Sequence, residues 1–324
     1  MKDLKELQHI ISEAVEQLEL PDAPAELYEP VRYILSLGGK RMRPALLLMA
    51  CDLFEGDVAA ALSPALAIEV FHNFTLVHDD IMDNAPLRRG KATLHERWGR
   101  NAGILSGDVM LVLAYQLMAK ADQKVLSQVL EVFSKTAVGV CEGQQLDMDF
   151  EKRATVHIDE YLEMIRLKTS VLLGGALKIG ALLGGASQQD AQHLCSFGEH
   201  LGIAFQLQDD ILDVYGDPEK FGKQVGGDIM ANKKTFLLIK ALELANWAQV
   251  NELNDWLGPD NRDSDEKVNA ITQLYNDLNV RKYAEREMET HAEKAFKALD
   301  EISLPAQHKQ YLRDFADGLL VREN

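Results

Sequence analysis

Phe71-His72-Asn73-Phe74-Thr75-Leu76-Val77-His78-Asp79-Asp80-Ile81-Met82-Asp83 is an apolar helical run that ends in three carboxylates. The same ending returns later in the chain, where Ile203 to Leu207 leads into Asp209-Asp210-Ile211-Leu212-Asp213. On a helix each residue turns about 100°, so the first and fifth residues of such a motif lie about 40° apart. Asp79 and Asp83 therefore point one way, one turn apart, as do Asp209 and Asp213, with Asp80 and Asp210 on the flanks. Like carboxylates this close repel and need a compensating cation. Mg²⁺ fits, because it takes one or two carboxylates and fills its remaining positions with water and substrate phosphate. A lone motif of this kind reads equally well as a solvated acidic helix end. Two copies behind apolar helices, one of them followed by Arg88 and Arg89, argue for metal binding.

The chain's 324 residues, 47% of them hydrophobic, are ample for a buried core. The balance of 34 basic and 51 acidic residues gives a net charge of −17, which argues against non-specific binding to nucleic acid or anionic membranes. On so acidic a protein, local basic clusters are informative. Cys51, Cys141 and Cys195 are scattered and odd in number, as expected of reduced thiols and a cytoplasmic address. Met1-Lys2-Asp3-Leu4 runs into an amphipathic pattern rather than a signal peptide. No uncharged apolar run reaches transmembrane length; the nearest, 171–187, contains Lys178.

Apolar residues at helical spacing predict helices over 3–19, 26–37, 45–54, 62–83, 101–119, 123–150, 188–215 and 236–244, with amphipathic helices from Trp247 onward. Lys40-Arg41-Met42-Arg43-Pro44 precedes the third of these, which places a basic cluster at a helix N-terminus with its free N–H groups. Arg88-Arg89-Gly90-Lys91 falls in a loop opened by Pro86. Lys168-Thr169-Ser170 leads into a helix rich in small residues, Gly174, Gly175, Gly180 and Gly184 among them, which implies close helix packing or a kink. No alternating β run is convincing. The expected architecture is all-α, a single domain over residues 1–324 built as a bundle of long helices around a central cavity.

Two acidic triads on separate helices are expected to face one cavity and to hold several Mg²⁺ ions between them. A diphosphate completes the shells of such a cluster, and a pocket between apolar helices suits a hydrocarbon tail. A diphosphate head with an apolar tail is an isoprenoid. Metals and basic residues then stabilise the departing diphosphate, a second alkene attacks the allylic cation, and a proton is lost away from water.

The segments GGKRMRP (38–44), DDIMDNAPLRRG (79–90), GQQLD (143–147), LKTS (167–170), FQLQDDILD (205–213), GKQVGGD (222–228) and NKKT (232–235) resemble trans-isoprenyl diphosphate synthases, in the same order. The first acidic motif has the short form, with two residues between Asp80 and Asp83. The resemblance implies the type I isoprenoid synthase fold and a 1′-4 head-to-tail condensation of isopentenyl diphosphate with an allylic diphosphate. It implies Asp79, Asp83 and Asp209 as metal ligands, with three Mg²⁺ ions and Mn²⁺ as the alternative. Asp80, Asp210 and Lys168 join them in the catalytic group, and Asp213 supports Asp209 in the second motif. Arg88, Lys168, Thr169, Gln206, Lys223 and Lys233 match the allylic diphosphate site. Lys40, Arg43, His72 and Arg89 match the isopentenyl diphosphate site. The released diphosphate serves as proton acceptor, and the enzyme is expected to be a homodimer.

Two alternatives share part of the pattern. Class I terpene cyclases use one DDxxD motif, but their second metal motif has Asn/Ser/Glu character. Silent subunits of heteromeric synthases lose an acidic triad or the arginine pair, and both are kept here. In the family, the residues four and five positions before the first aspartate help set product length. These are Thr75 and Phe74, with Phe71 about 4.5 Å deeper than Phe74 along the helix axis. A small Thr75 beside a bulky Phe74 implies a C20 product ahead of C15.

Overall fold

The computed structural model describes residues 2–217, 225–258 and 264–320. Nearly all of its regular secondary structure is helical. The described chain divides into two compact units, one comprising Met1–Ala137, Leu172–Cys195 and Glu301–Tyr311, the other Val138–Val171, Ser196–Asp300 and Leu312–Asn324.

The first unit opens with α1 (Leu4–Glu16). Asp3 caps it by accepting the Glu6 N–H at 2.8 Å, while Glu6 returns to the Asp3 N–H at 3.0 Å. α2 (Ala25–Ser36) and α3 (Met42–Leu53) follow. The third helix begins at Met42, three residues before the expected start, so Arg43 and Pro44 lie inside its first turn, where a proline is tolerated. Every residue from Ala45 to Cys51 is buried. α4 (Leu62–Met82) carries the first acidic motif at its C-terminal end.

Where a loop was expected after Pro86, the chain folds into a small antiparallel hairpin, β1 (Leu87–Arg88) against β2 (Lys91–Ala92), and then a short helix, α5 (Leu94–Trp98). A two-residue ladder is too short to leave an alternating pattern. Thr93 closes its base, with its Oγ1 donating to the Ala85 carbonyl at 2.8 Å and its N–H to Pro86 at 3.1 Å. α6 (Arg100–Met118) packs along α4 through small residues. A methyl group at Gly107 would lie 2.3 Å from His78 Nε2. By length and hydropathy α6 is long and apolar enough to cross a membrane, which the sequence reading did not single out. Its Gly103, Ser106, Gly107, Met110 and Ala114 are buried in the protein instead.

α7 (Leu126–Lys152) and α10 (Gln188–Tyr215) each contribute residues to both units, as does the stretch between them: α8 (Ile158–Ile165), a π-helical turn at Arg166–Ser170, and α9 (Val171–Leu183). The small residues of α9 bring backbones close, as expected. A methyl group at Gly180 would meet the Leu47 carbonyl oxygen of α3 at 2.0 Å.

The second unit adds α11 (Gly227–Met230), α12 (Phe236–Leu244), α13 (Trp247–Leu257), α14 (Ser264–Asp277) and α15 (Val280–Asp300). α16 (Ala306–Leu320) closes the described chain. The core of this unit gathers Phe150, Tyr161, Ile203, Leu207, Ile211, Phe236, Leu237, Leu253, Ile271 and Tyr275. Burying each such side chain is worth about 1.5–3 kcal/mol, which fixes α10 and its acidic motif against α8 and α12.

Candidate active site

In the first unit, one face of α4 carries Glu69, His72, Asn73, Asp79, Asp80 and Asp83 at helical spacing. The three aspartates differ. Asp80 is 2% exposed, Asp79 is half-buried and Asp83 is exposed. Arg88, projecting from β1, donates to Asp80 from Nε at 3.0 Å and from Nη2 at 2.6 Å, and lies 3.4 Å from Asp79. Burial raises the Asp80 pKa, and the Arg88 contact opposes that rise.

Beside it is a second basic group. Arg89 adopts a left-handed backbone (φ 53°) and donates to the Gly38 carbonyl. Its guanidinium lies flat against Gly39, where a methyl group would sit 2.9 Å from it, so a side chain at this position would displace the arginine. Gln8 of α1 donates to the Lys40 carbonyl at 2.6 Å. Arg43 Nη1 lies 3.2 Å from His72 Nε2. Arg43 Nε is buried with no hydrogen-bond partner. Burial, reinforced by Arg43, Arg89, Arg88 and Arg41, holds the His72 pKa well below the usual histidine range. The structure thus sets Arg43 beside His72, places Arg89 against Gly38 and Gly39, next in sequence to Lys40, and turns neighbouring Arg88 and Arg89 towards different partners.

The chain-length candidates lie on the same helix. Phe71 is fully buried and packs on Phe133 of α7 at 5.4 Å between ring centroids. Phe74 packs on Phe71 at 5.5 Å and on His78 at 4.8 Å. Thr75 is half-buried and donates from Oγ1 to the His72 carbonyl at 2.8 Å.

The second unit repeats the plan. Asp210 is 4% exposed, while Asp209 and Asp213 are half-buried. Tyr161 of α8 donates to Asp210 Oδ2, and Gln206 donates to its Oδ1 at 3.3 Å. Burial pushes the Asp210 pKa up to about 7; its two hydrogen bonds oppose the shift, and Asp228 and Asp209 add to it. Asp213 Oδ2 accepts the Asp228 N–H at 2.9 Å.

Lys168 and Thr169 sit in the π-helical turn, an irregularity common at functional sites. Lys168 Nζ pairs with Asp147 of α7 at 2.5 Å. Gly143, one turn before Asp147, lets the two backbones touch; a methyl group there would lie 2.2 Å from the Lys168 nitrogen. Lys233 Nζ lies 4.0 Å from Asp228 Oδ1. Lys234 caps the end of α7 through the Phe150 carbonyl at 2.5 Å. Lys223 lies outside the described residues.

The sequence reading did not assign Tyr161, Asp147, Arg41 or Glu69. A lone carboxylate within the apolar run of α4 was the available signal for Glu69. Among the described residues, no three His, Cys, Asp or Glu side chains converge into a ready-made ion cage. The donor set still fits Mg²⁺, which needs one or two carboxylates and completes its shell with water and phosphate. Each motif offers such carboxylates, and the first has Arg88 beside it.

A family model described as polyprenyl synthetase matches residues 24–275. The geranylgeranyl diphosphate synthase of Methanosarcina mazei is 43% identical over 243 residues, covering 74% of this chain and 75% of that protein. The short chain isoprenyl diphosphate synthase of Methanothermobacter thermautotrophicus is 36% identical over 326 aligned positions, covering 100% of this chain and 99% of its own. A crystal structure of a geranylgeranyl pyrophosphate synthase superposes with a TM-score of 0.94 at 45% identity, covering 100% of both chains.

Proposed function

The chain belongs to the polyprenyl synthetase family, and we propose that it joins isopentenyl diphosphate to an allylic diphosphate by 1′-4 condensation, with C20 geranylgeranyl diphosphate as its main product. It is a prenyltransferase, as its named relatives are. The observation that carries the substrate reading is Arg43 held beside His72, with Arg89 close enough to act on the same histidine, on the helix that ends in an aspartate motif. So much positive charge on a protein of net charge −17 suits a diphosphate.

Enzymes of this family generally depend on divalent metal ions. Asp79, Asp83 and Asp209 would hold them here, as three Mg²⁺ with Mn²⁺ as the alternative. The bound ions would supply positive charge to the allylic diphosphate. Arg88, Lys168, Lys223 and Lys233 donate to its oxygens as the C1–O bond breaks and charge accumulates on the leaving group. Thr169 and Gln206 line the allylic side. Lys40, Arg43, His72 and Arg89 hold the second diphosphate so that the isopentenyl double bond faces the allylic carbon. Its π electrons form the new C–C bond, and the proton lost from the adduct passes to the released diphosphate. The α4 face that carries Phe71, Phe74 and Thr75 receives the growing tail.

We read residues 1–324 as one catalytic domain, because both aspartate motifs are needed and the family match spans residues of both units. Exposed Leu105 and Val112 on α6 favour assembly as a homodimer. The three free cysteines favour a cytoplasmic setting. Purified protein given Mg²⁺, dimethylallyl diphosphate and radiolabelled isopentenyl diphosphate should make geranylgeranyl diphosphate, resolved by reversed-phase chromatography. Absence of any prenyl transfer would refute the reaction, and a product ending at C15 would refute the length.

A further inference from the structure

Of the three basic residues in Lys40-Arg41-Met42-Arg43, one turns inward. Arg41 precedes α3 in a left-handed conformation (φ 47°, ψ 33°), which a side chain with a Cβ adopts at a cost. Its guanidinium is buried and makes two contacts. Nη1 pairs with Glu69 Oε1, and Nη2 donates to the Leu35 carbonyl at 2.7 Å, in the last turn of α2. Glu69 is itself buried, and Asn73 Nδ2 donates to its Oε1 at 2.8 Å. Side-chain exposures of 5% and 3% put both charges out of reach of water.

A pair this buried adds little net stability, since desolvation offsets its attraction; its geometry is what it contributes. Here that geometry joins three elements: the end of α2, the start of α3 and the middle of α4. Lys40 and Arg43 flank the joint on either side. Glu69 is also the carboxylate whose charge supports Arg43 and Arg89 against the burial that lowers both. His72, Arg43's partner, sits one turn from Glu69 on the same face of α4.

We propose that Arg41 and Glu69 are positioning residues for the isopentenyl diphosphate site: the buried pair locks the left-handed turn and so fixes Lys40 and Arg43 for the diphosphate, without either residue touching substrate. This rests on the ligand assignment of the proposed function. It separates Arg41 from the basic neighbours that it resembles in sequence.

The test uses the full-length protein, with titration calorimetry for two probes. One is isopentenyl diphosphate; the other is inorganic diphosphate with Mg²⁺, for the aspartate motifs. Glu69→Gln should weaken isopentenyl diphosphate about tenfold or more, the scale seen when groups that orient a ligand's direct contacts are lost, and leave Mg²⁺-diphosphate within about twofold. The double variant Arg41→Met/Glu69→Met removes both buried charges and should recover the thermal midpoint lost in the single variant while its isopentenyl diphosphate affinity stays low. If Glu69→Gln does not fold, the double variant decides the question. Wild-type affinity in the double variant, parallel weakening of both probes, or a wild type that does not bind isopentenyl diphosphate would each overturn the proposal. Prenyl transfer is not the readout, so failure of the reaction and failure of this inference are seen in different assays.

Discussion

Asp80 and Asp210 are the second residues of their motifs, and each is sealed inside the protein by a donor from another element: Arg88 for one, Tyr161 for the other. The first and fifth aspartates are left nearer solvent. Spacing alone paired Asp79 with Asp83 and Asp209 with Asp213, because helical phase is local. Which flank is buried depends on side chains 8 and 49 residues away, and no local pattern carries that. Asp79→Ala or Asp209→Ala should lower kcat/KM about 10²–10³-fold, as loss of a group stabilising transition-state charge does, with an unchanged far-ultraviolet circular dichroism spectrum. Ordinary turnover in either would remove these residues from the metal site. Tyr161→Phe keeps the ring and deletes the donor. A buried acceptor that loses a partner costs about 1–3 kcal/mol, so kcat should fall about tenfold with the isopentenyl diphosphate KM unchanged. Equal loss in both constants would mean that Tyr161 serves general packing.

The long helices were legible because each repeats its apolar face over three turns or more. Their starts shifted where tertiary contacts decide, as at Met42, where Arg41 turns inward. The hairpin at Leu87–Ala92 and the π-helical turn at Arg166–Ser170 were not legible. One is too short to alternate, and the other lies where α7 comes close at Gly143, a tertiary contact that no local pattern carries. The chain-length candidates Phe71, Phe74 and Thr75 all lie on α4, and the structure adds their depth. Phe71 is locked under Phe133, whereas Phe74 stands one turn nearer the aspartates with His78 beside it. If Phe74 is the floor for the growing tail, as proposed, removing its ring would lengthen the space while Phe71 stays packed under Phe133. Phe74→Ala should therefore shift products beyond C20, and Thr75→Phe should pull them towards C15, as read by chromatography of dephosphorylated products. Unchanged lengths in both soluble, active variants would move the floor of the pocket off this helix.

At the scale of the whole molecule, stability between pH 4 and 7 is a sum of opposing titrations on a protein whose isoelectric point is about 5.0. Asp210 and His291 contribute with opposite sign. Asp210 has a folded pKa raised to about 7 from 3.8, mainly by burial. Between those values the folded state holds a proton that the unfolded chain has lost, so this stabilisation is full below pH 3.8 and vanishes as pH rises through 7. His291 of α15 faces His200 of α10 with 3.1 Å between their Nδ1 atoms. Burial first, then Lys294 and His200, brings its pKa down to about 4 from 6.5. Here the unfolded chain takes the proton first, so stability present above pH 6.5 is lost as pH falls towards 4. The two slopes offset each other over most of the window, and single variants should expose them. In chelator-treated protein, Asp210→Asn should gain thermal stability relative to wild type as pH rises from 4 to 7. His291→Gln should gain it as pH falls from 6.5 to 4. Thermal midpoints taken at half-unit pH steps decide the matter, because a group that titrates alike in both states leaves its variant parallel to wild type. A parallel Asp210→Asn curve would mean that the carboxyl is already ionised in the folded, metal-free protein, and a parallel His291→Gln curve that the histidine pair accepts its proton without opening.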